Sequence, residues 1–197
     1  MIDREKLNEA IQFATDAHRG QYRKGSGDVL PYVTHPIEVM KRLALYGVAD
    51  IDVLCAAVLH DVIEDTDVTE QGLRLKFGDR ITDFVVELTS HDRLPNEEKA
   101  DYIKRRDVYL ASFYNTSVEA LVVKVADRLC NSWDYHGDGK AEYAIRYFNQ
   151  ANEVMEAFSK RRSEVSSVFS KRAAQKIQHD IYHFLYFDDD FGVEDNF

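Results

Sequence analysis

Three features of the sequence predict an all-α bundle of about eight to ten helices. Apolar residues recur at helical spacing along most of the chain, only three prolines occur in 197 residues, and glycine-containing turn signals are few. Residues 5–18 place Leu7, Ala10, Ile11, Ala14 and Ala17 on one stripe, and Gly20 is the expected stop. A loop over 21–34 follows. Pro36 stands just after His35, where a proline opens a helix without losing a needed N–H, and Val39, Met40 and Leu43 carry that helix to Gly47. Residues 51–63 include Val53 through Leu59, apolar all round, which predicts a central helix buried on every side. A short helix ends at Phe77-Gly78, another spans 79–88, and 90–96 is polar. Thr116-Ser117-Val118-Glu119 reads as a capping box opening a helix with Leu121, Val122, Val125 and Leu129 on its apolar face. Ala144, Phe148, Ala151, Met155 and Phe158 keep helical spacing over 140–162, and a last helix covers 164–186. Residues 1–186 thus read as one domain, and 187–197 as an acidic, solvated tail.

The formal net charge of −10 argues against sequence-independent binding to a nucleic-acid backbone, which needs a basic face. Half of that excess lies in the tail, where Asp188, Asp189, Asp190, Glu194 and Asp195 occur with no Lys or Arg. No stretch approaches the roughly 20 apolar residues of a membrane span, and the charged start lacks the apolar region of a signal peptide. Cys55 and Cys130 each lie in an apolar helical segment and read as buried free thiols, which suits a cytoplasmic location.

The chemistry concentrates around His60-Asp61, at the end of the most apolar segment. Ionisable side chains adjoining such a helix need partners or a cation. Glu64 and Asp65 stand at i+4 from each, so four ionisable groups crowd about two helical turns. Such a carboxylate cluster repels itself unless a divalent ion is present or its members spread into water. His35 stands at a helix start, and Asp127 interrupts the apolar run from Leu121 to Leu129. An aspartate so embedded is either paired with a base such as Lys124 or Arg128 or used as a ligand. Two imidazoles and two carboxylates make a mixed nitrogen and oxygen site suited to Mn, Fe or Zn, with positions open for water and substrate.

The order His…His-Asp…Asp, with its flanking segments, resembles the HD superfamily, and within it the hydrolase domain of RelA/SpoT proteins. The similar segments are residues 17–24 (AHRGQYRK), 31–36 (PYVTHP), 59–66 (LHDVIEDT), 77–78 (FG) and 125–131 (VADRLCN). The resemblance implies an HD-type helical fold and removal of the 3′-pyrophosphate of the alarmone (p)ppGpp, with GDP or GTP as the other product. It implies that His35, His60, Asp61 and Asp127 hold a divalent metal, usually Mn²⁺, and that Glu64 and Asp65 are the catalytic pair. It places Arg23, Lys24 and Asn131 along the nucleotide, and a nucleotide-contacting serine at Ser26. Arg19, Arg23 and Lys24 make a basic cluster able to take up phosphate charge in an acidic protein. The chain departs from the long members by the extra residues 25–30 and by Asp134, where those often have threonine. It is also too short for their synthetase and regulatory domains, so it resembles the stand-alone, animal-type alarmone hydrolases.

Other features compete with this reading. Tyr143 and Tyr147, one turn apart, suit stacking on a base, although aromatics at that spacing more often belong to a core. His179-Asp180-Ile181-Tyr182-His183 has the histidine spacing of a zinc-protease helix but an Asp where that chemistry uses Glu, and His91-Asp92 reads as surface loop. The expected partner is a small nucleotide rather than nucleic acid or membrane. Alternatives are the same chemistry on NADPH or a nucleoside monophosphate, a catalytically silent nucleotide sensor, and a helical module with structural histidines.

Overall fold

The computed structural model describes residues 4–23, 26, 28–90, 94–131 and 141–186. Lys24, His91, Asp92, Asp134 and the tail over 187–197 lie outside the described residues. The described chain forms α1 (Arg4–Ala17), α2 (Thr34–Tyr46), α3 (Ile51–Leu59), α4 (Val62–Asp65), α5 (Glu70–Phe77), α6 (Asp79–Leu88), α7 (Lys99–Ser112), α8 (Val118–Asn131), α9 (Ala141–Val168) and α10 (Lys171–Tyr186). Among the described residues the only extended pairing is an isolated antiparallel bridge between Tyr22 and Pro31.

Helix α3 is central because its surface is apolar on every side. Val53 through Leu59 are all buried, and the small side chains of Cys55, Ala56 and Ala57 let α1, α2, α6 and α8 pack close around it. Helix α8 is the second axis of the core. Residues Ala120 through Asp127 are buried without a break, and α8 packs against α2, α3, α6, α9 and α10. The two cysteines are buried and not joined by a disulfide, one on each of these helices. At the end of α2, Gly47 takes φ 96°, the left-handed conformation that returns its N–H to Leu43 and Ala44.

Sequence and structure differ at four places, each for a physical reason. Helix α7 is absent from the expectation because it has no apolar stripe, Leu110 being its one buried residue. Polar contacts hold it instead: the Tyr109 hydroxyl donates to the Leu88 carbonyl, and Arg106 donates to Gln150 on α9. The break expected near 163 lies at 169–170, where the Ser170 hydroxyl caps α10 by accepting from Ala173 N at 3.0 Å. The helix expected over 51–63 stops at Leu59 and restarts at Val62.

The fourth difference is the capping box. Ser117, not Thr116, caps α8, its Oγ accepting from Ala120 N at 3.1 Å. The Ser117 N–H goes to Glu87 of α6 at 3.2 Å, while Glu119 lies 3.7 Å from Arg80. A tertiary contact thus replaces the local reciprocal bond. Ser117→Ala is expected to cost about 1 kcal/mol and to lower the melting midpoint by roughly 2–4 °C. Glu119→Ala should have the smaller effect, and equal losses in the two variants would restore the local capping box.

Candidate metal centre

The turn between α3 and α4 sets the site. His60 keeps helical angles (φ −60°, ψ −28°), but Asp61 moves to φ −102°, ψ −3°, in the bridge region between helix and strand. Adjacent residues on a straight helix point about 100° apart. Breaking the helix here lets His60 and Asp61 aim at one point, while Asp65, whose N–H donates to the Asp61 carbonyl at 2.8 Å, is exposed one turn further on.

His35, second residue of α2, and Asp127, in the middle of α8, converge on the same point. His35 Nε2 lies 3.1 Å from Asp127 Oδ1 and 4.0 Å from Asp61 Oδ2. His60 Nε2 lies 2.9 Å from Asp61 Oδ2 and 3.7 Å from Asp127 Oδ1. Two donors bound to one ion at about 2.0–2.2 Å each cannot stand more than roughly 4.3 Å apart, and all four separations meet that limit. The donor atoms of His35, His60 and Asp127 all lie within 4.8 Å of one another. Asp61 stands outside that tight triad but reaches both imidazoles, and the Tyr32 hydroxyl donates to its Oδ2 at 2.5 Å.

The hydrogen bonding fits a cation. His60 Nδ1 donates to the Ala57 carbonyl at 2.8 Å, which leaves Nε2 as the nitrogen facing the cluster. His60 Nε2, near Asp61 but not aligned for a hydrogen bond, has no hydrogen-bond partner among the described residues although it is buried. Burial opposes charge on His60, yet the Asp61 and Asp127 carboxylates outweigh it and push its pKa up to about 10. Burial likewise pushes Asp61 and Asp127 up. For Asp61 the two histidines reverse this, and for Asp127 Lys124 does so first, with both carboxyls ending below the ordinary carboxylate range. A cluster that holds one proton so firmly suits a divalent cation in its place, with release of the proton.

The remaining candidates sit as follows. Glu64 Oε2 accepts from Ser90 N at 2.9 Å, and burial, opposed by Lys124, pushes its carboxyl up to about 7. Asp65 is exposed, its backbone carbonyl accepting from Gln21 Nε2 at 2.7 Å. Arg23 is buried, with Nη1 3.4 Å from Glu38, and its strand-like segment is pinned by Arg23 N to Leu30 O and Tyr32 N to Gln21 O, both at 2.9 Å. Ser26 closes the intervening turn, its hydroxyl donating to the Arg23 carbonyl at 2.8 Å. Asn131 Nδ2 donates to Asp127 Oδ1 at 2.7 Å. Arg19 is exposed and pairs with Asp16 at 2.5 Å on the surface. Tyr147 is core, its ring facing the Arg128 guanidinium at 5.4 Å and its hydroxyl donating to the Arg128 carbonyl at 2.6 Å, so base stacking gives way to packing. His179 and His183 lie on α10 with ring centroids 4.5 Å apart, and the neighbouring Asp180 is engaged by Arg42 and Tyr46.

Tyr32 and Gln21 also contact site residues. Both lie inside the recognised segments, but nothing in local spacing signals contacts to Asp61 and Asp65, 29 and 44 residues away. Asp127 resolves the open choice both ways, facing the cluster with Oδ1 while its Oδ2 pairs with Lys124 at 3.0 Å.

A helical bundle that brings two histidines and two aspartates from two helices and a turn to one buried point is a metal-site fold of the HD type. A family model described as the HD domain matches residues 10–164, and the chain belongs to that family. It is 39% identical over 155 residues to the mouse (Mus musculus) guanosine-3′,5′-bis(diphosphate) 3′-pyrophosphohydrolase MESH1, an alignment covering 76% of this chain and 83% of that protein. It is 36% identical over 129 residues to the Vibrio cholerae guanosine-3′,5′-bis(diphosphate) 3′-pyrophosphohydrolase, covering 64% of this chain and 17% of that one. The solved structure of a metazoan orthologue of SpoT that hydrolyses ppGpp superposes with TM-score 0.70 at 27% identity, covering 91% of this chain and 95% of that chain.

Proposed function

We propose that this chain hydrolyses (p)ppGpp in a metal-dependent reaction, releasing the 3′-pyrophosphate and leaving GDP or GTP. The observation that carries the reading is the buried convergence of His35, His60 and Asp127, with Asp61 on both imidazoles. The names of its relatives supply the nucleotide. His35, His60, Asp61 and Asp127 hold the ion, with Mn²⁺ as our assignment, and the bound ion supplies Lewis acidity toward a phosphoryl oxygen and acidifies water. Glu64, with its carboxyl near neutrality, accepts the proton of the attacking water. Asp65, exposed at the end of α4, hands that proton on to solvent. Arg23 and Lys24 neutralise phosphate charge, Ser26 holds the Arg23 carbonyl, and Asn131 orients Asp127.

Residues 1–186 form the hydrolase domain in this reading, with 187–197 as an appended acidic tail. Two buried cysteines without a disulfide favour a cytoplasmic setting, and no described helix is long and apolar enough to cross a membrane. The deciding experiment incubates the pure protein and Mn²⁺ with ppGpp or with NADPH and measures pyrophosphate and phosphate separately. Pyrophosphate from ppGpp is the expected product. Phosphate from NADPH without pyrophosphate from ppGpp would overturn the nucleotide assignment.

A further inference from the structure

We infer that Lys124 is a positioning residue that restricts Asp127 to one metal-binding oxygen and so keeps a coordination position open for water or substrate. The inference rests on the metal-hydrolase reading above, in taking the His/Asp cluster to hold an ion.

The two oxygens of Asp127 have different surroundings. Oδ1 faces the cluster, 3.1 Å from His35 Nε2 and 3.7 Å from His60 Nε2, and accepts from Asn131 Nδ2 at 2.7 Å. Oδ2 is held 3.0 Å from Lys124 Nζ, one turn earlier on the same helix. Both side chains are buried, at 7% and 5% exposure, so water does not compete for the pair. Buried charge pairs are costly to separate, and rotating Asp127 to offer both oxygens to an ion would separate this one.

Lys124 is poorly placed for any role of its own on substrate. Its ammonium is committed to Asp127 Oδ2 at 3.0 Å, lies 5.8 Å from the centre of the Tyr109 ring, and interacts electrostatically with Glu64 and Arg128. Its action therefore passes through Asp127. Mn²⁺ favours about six ligands. Four protein groups giving one atom each leave positions for water and for a phosphoryl oxygen, and a second oxygen from Asp127 would close one of them.

The test uses the full chain loaded with Mn²⁺, as wild type, Lys124→Met and Lys124→Arg. Calorimetry reads Mn²⁺ binding, water-proton relaxation counts exchangeable waters on the bound ion, and steady-state kinetics with ppGpp separates kcat from KM. Lys124→Met is expected to bind Mn²⁺ stoichiometrically, to lose relaxivity equivalent to one water, and to lose about 10- to 100-fold in kcat with little change in KM. Lys124→Arg should restore relaxivity and most of kcat, which a purely space-filling role would not require. Lys124→Met with wild-type relaxivity, or without Mn²⁺ binding, overturns the inference. If Lys124→Met does not fold, the Mn²⁺-loaded wild-type crystal structure decides: Asp127 must bind through one oxygen with Lys124 on the other, and two-oxygen binding overturns it. Wild type that binds Mn²⁺ but does not cleave ppGpp overturns only the nucleotide assignment, since relaxivity still decides on Lys124. Wild type that binds no divalent ion overturns both.

Discussion

Glu64→Gln is expected to keep its metal ion and to lose about 10²- to 10⁴-fold in kcat, the range a positioned general base supplies. Its carboxylate is aimed by Ser90 N at 2.9 Å but is not one of the four groups assigned to hold the ion. Gln preserves volume and can still accept that hydrogen bond, so metal analysis should match wild type while turnover collapses. A variant that retains kcat would remove Glu64 from the reaction. The same change has a predicted effect on stability. Burial, with Asp61 and Asp65 acting in the same direction against Lys124 and Ser90, pushes the folded-state carboxyl from 4.5 up to about 7. The charged form is thus the penalised one: Glu64 destabilises the fold above pH 7, and the penalty fades as pH falls toward 4.5. In chelated protein at pH 8, Glu64→Gln should therefore melt above wild type, with the difference shrinking toward pH 5. A carboxylate kept at a cost to stability is what a catalytic role leads one to expect. Equal melting points at pH 8 would remove that argument.

Asp127→Asn is expected to abolish turnover and to weaken metal binding by ~10²-fold or more, beyond the loss typical of groups that merely support a ligand. Asparagine fills the same space and can still face His35 and Lys124, but it lacks the charge that both the ion and the Lys124 ammonium require. Asp127→Ala adds a structural loss, because it leaves buried Lys124 without its counter-charge, at about 3–5 kcal/mol. Combining Asp127→Ala with Lys124→Met should recover much of that stability without recovering the metal. Full metal occupancy in Asp127→Asn would show the ligand assignment to be wrong.

The helical class, the buried α3 and the positions of His35, His60, Asp61 and Asp127 were legible from sequence because each leaves a local or ordered signal. Such signals are a 3.6-residue stripe, an unbroken apolar run, a proline after a histidine, and charges set where apolar residues surround them. Helix α7 left none, since polar bonds such as Arg106 to Gln150 and Tyr109 to Leu88 hold it rather than an apolar face. Tyr32 and Gln21 likewise act through single hydrogen bonds to distant residues. The Ser117 N–H likewise goes to Glu87, 30 residues away, a contact that local spacing does not announce.

By itself, then, the sequence determined the burial pattern and the chemistry available: a helical core, two imidazoles and a set of carboxylates at its edge. Only the tertiary structure decided how those groups are used. The break at Asp61 turns His60 and Asp61 to one point, and Asp65 one turn on is exposed. Packing α8 against α2 and α3 sets Asp127 against His35 and His60, with Lys124 on its other oxygen. Periodicity records which side chains leave water, whereas direction and pairing arise only when separate helices meet and each buried charge must find its partner.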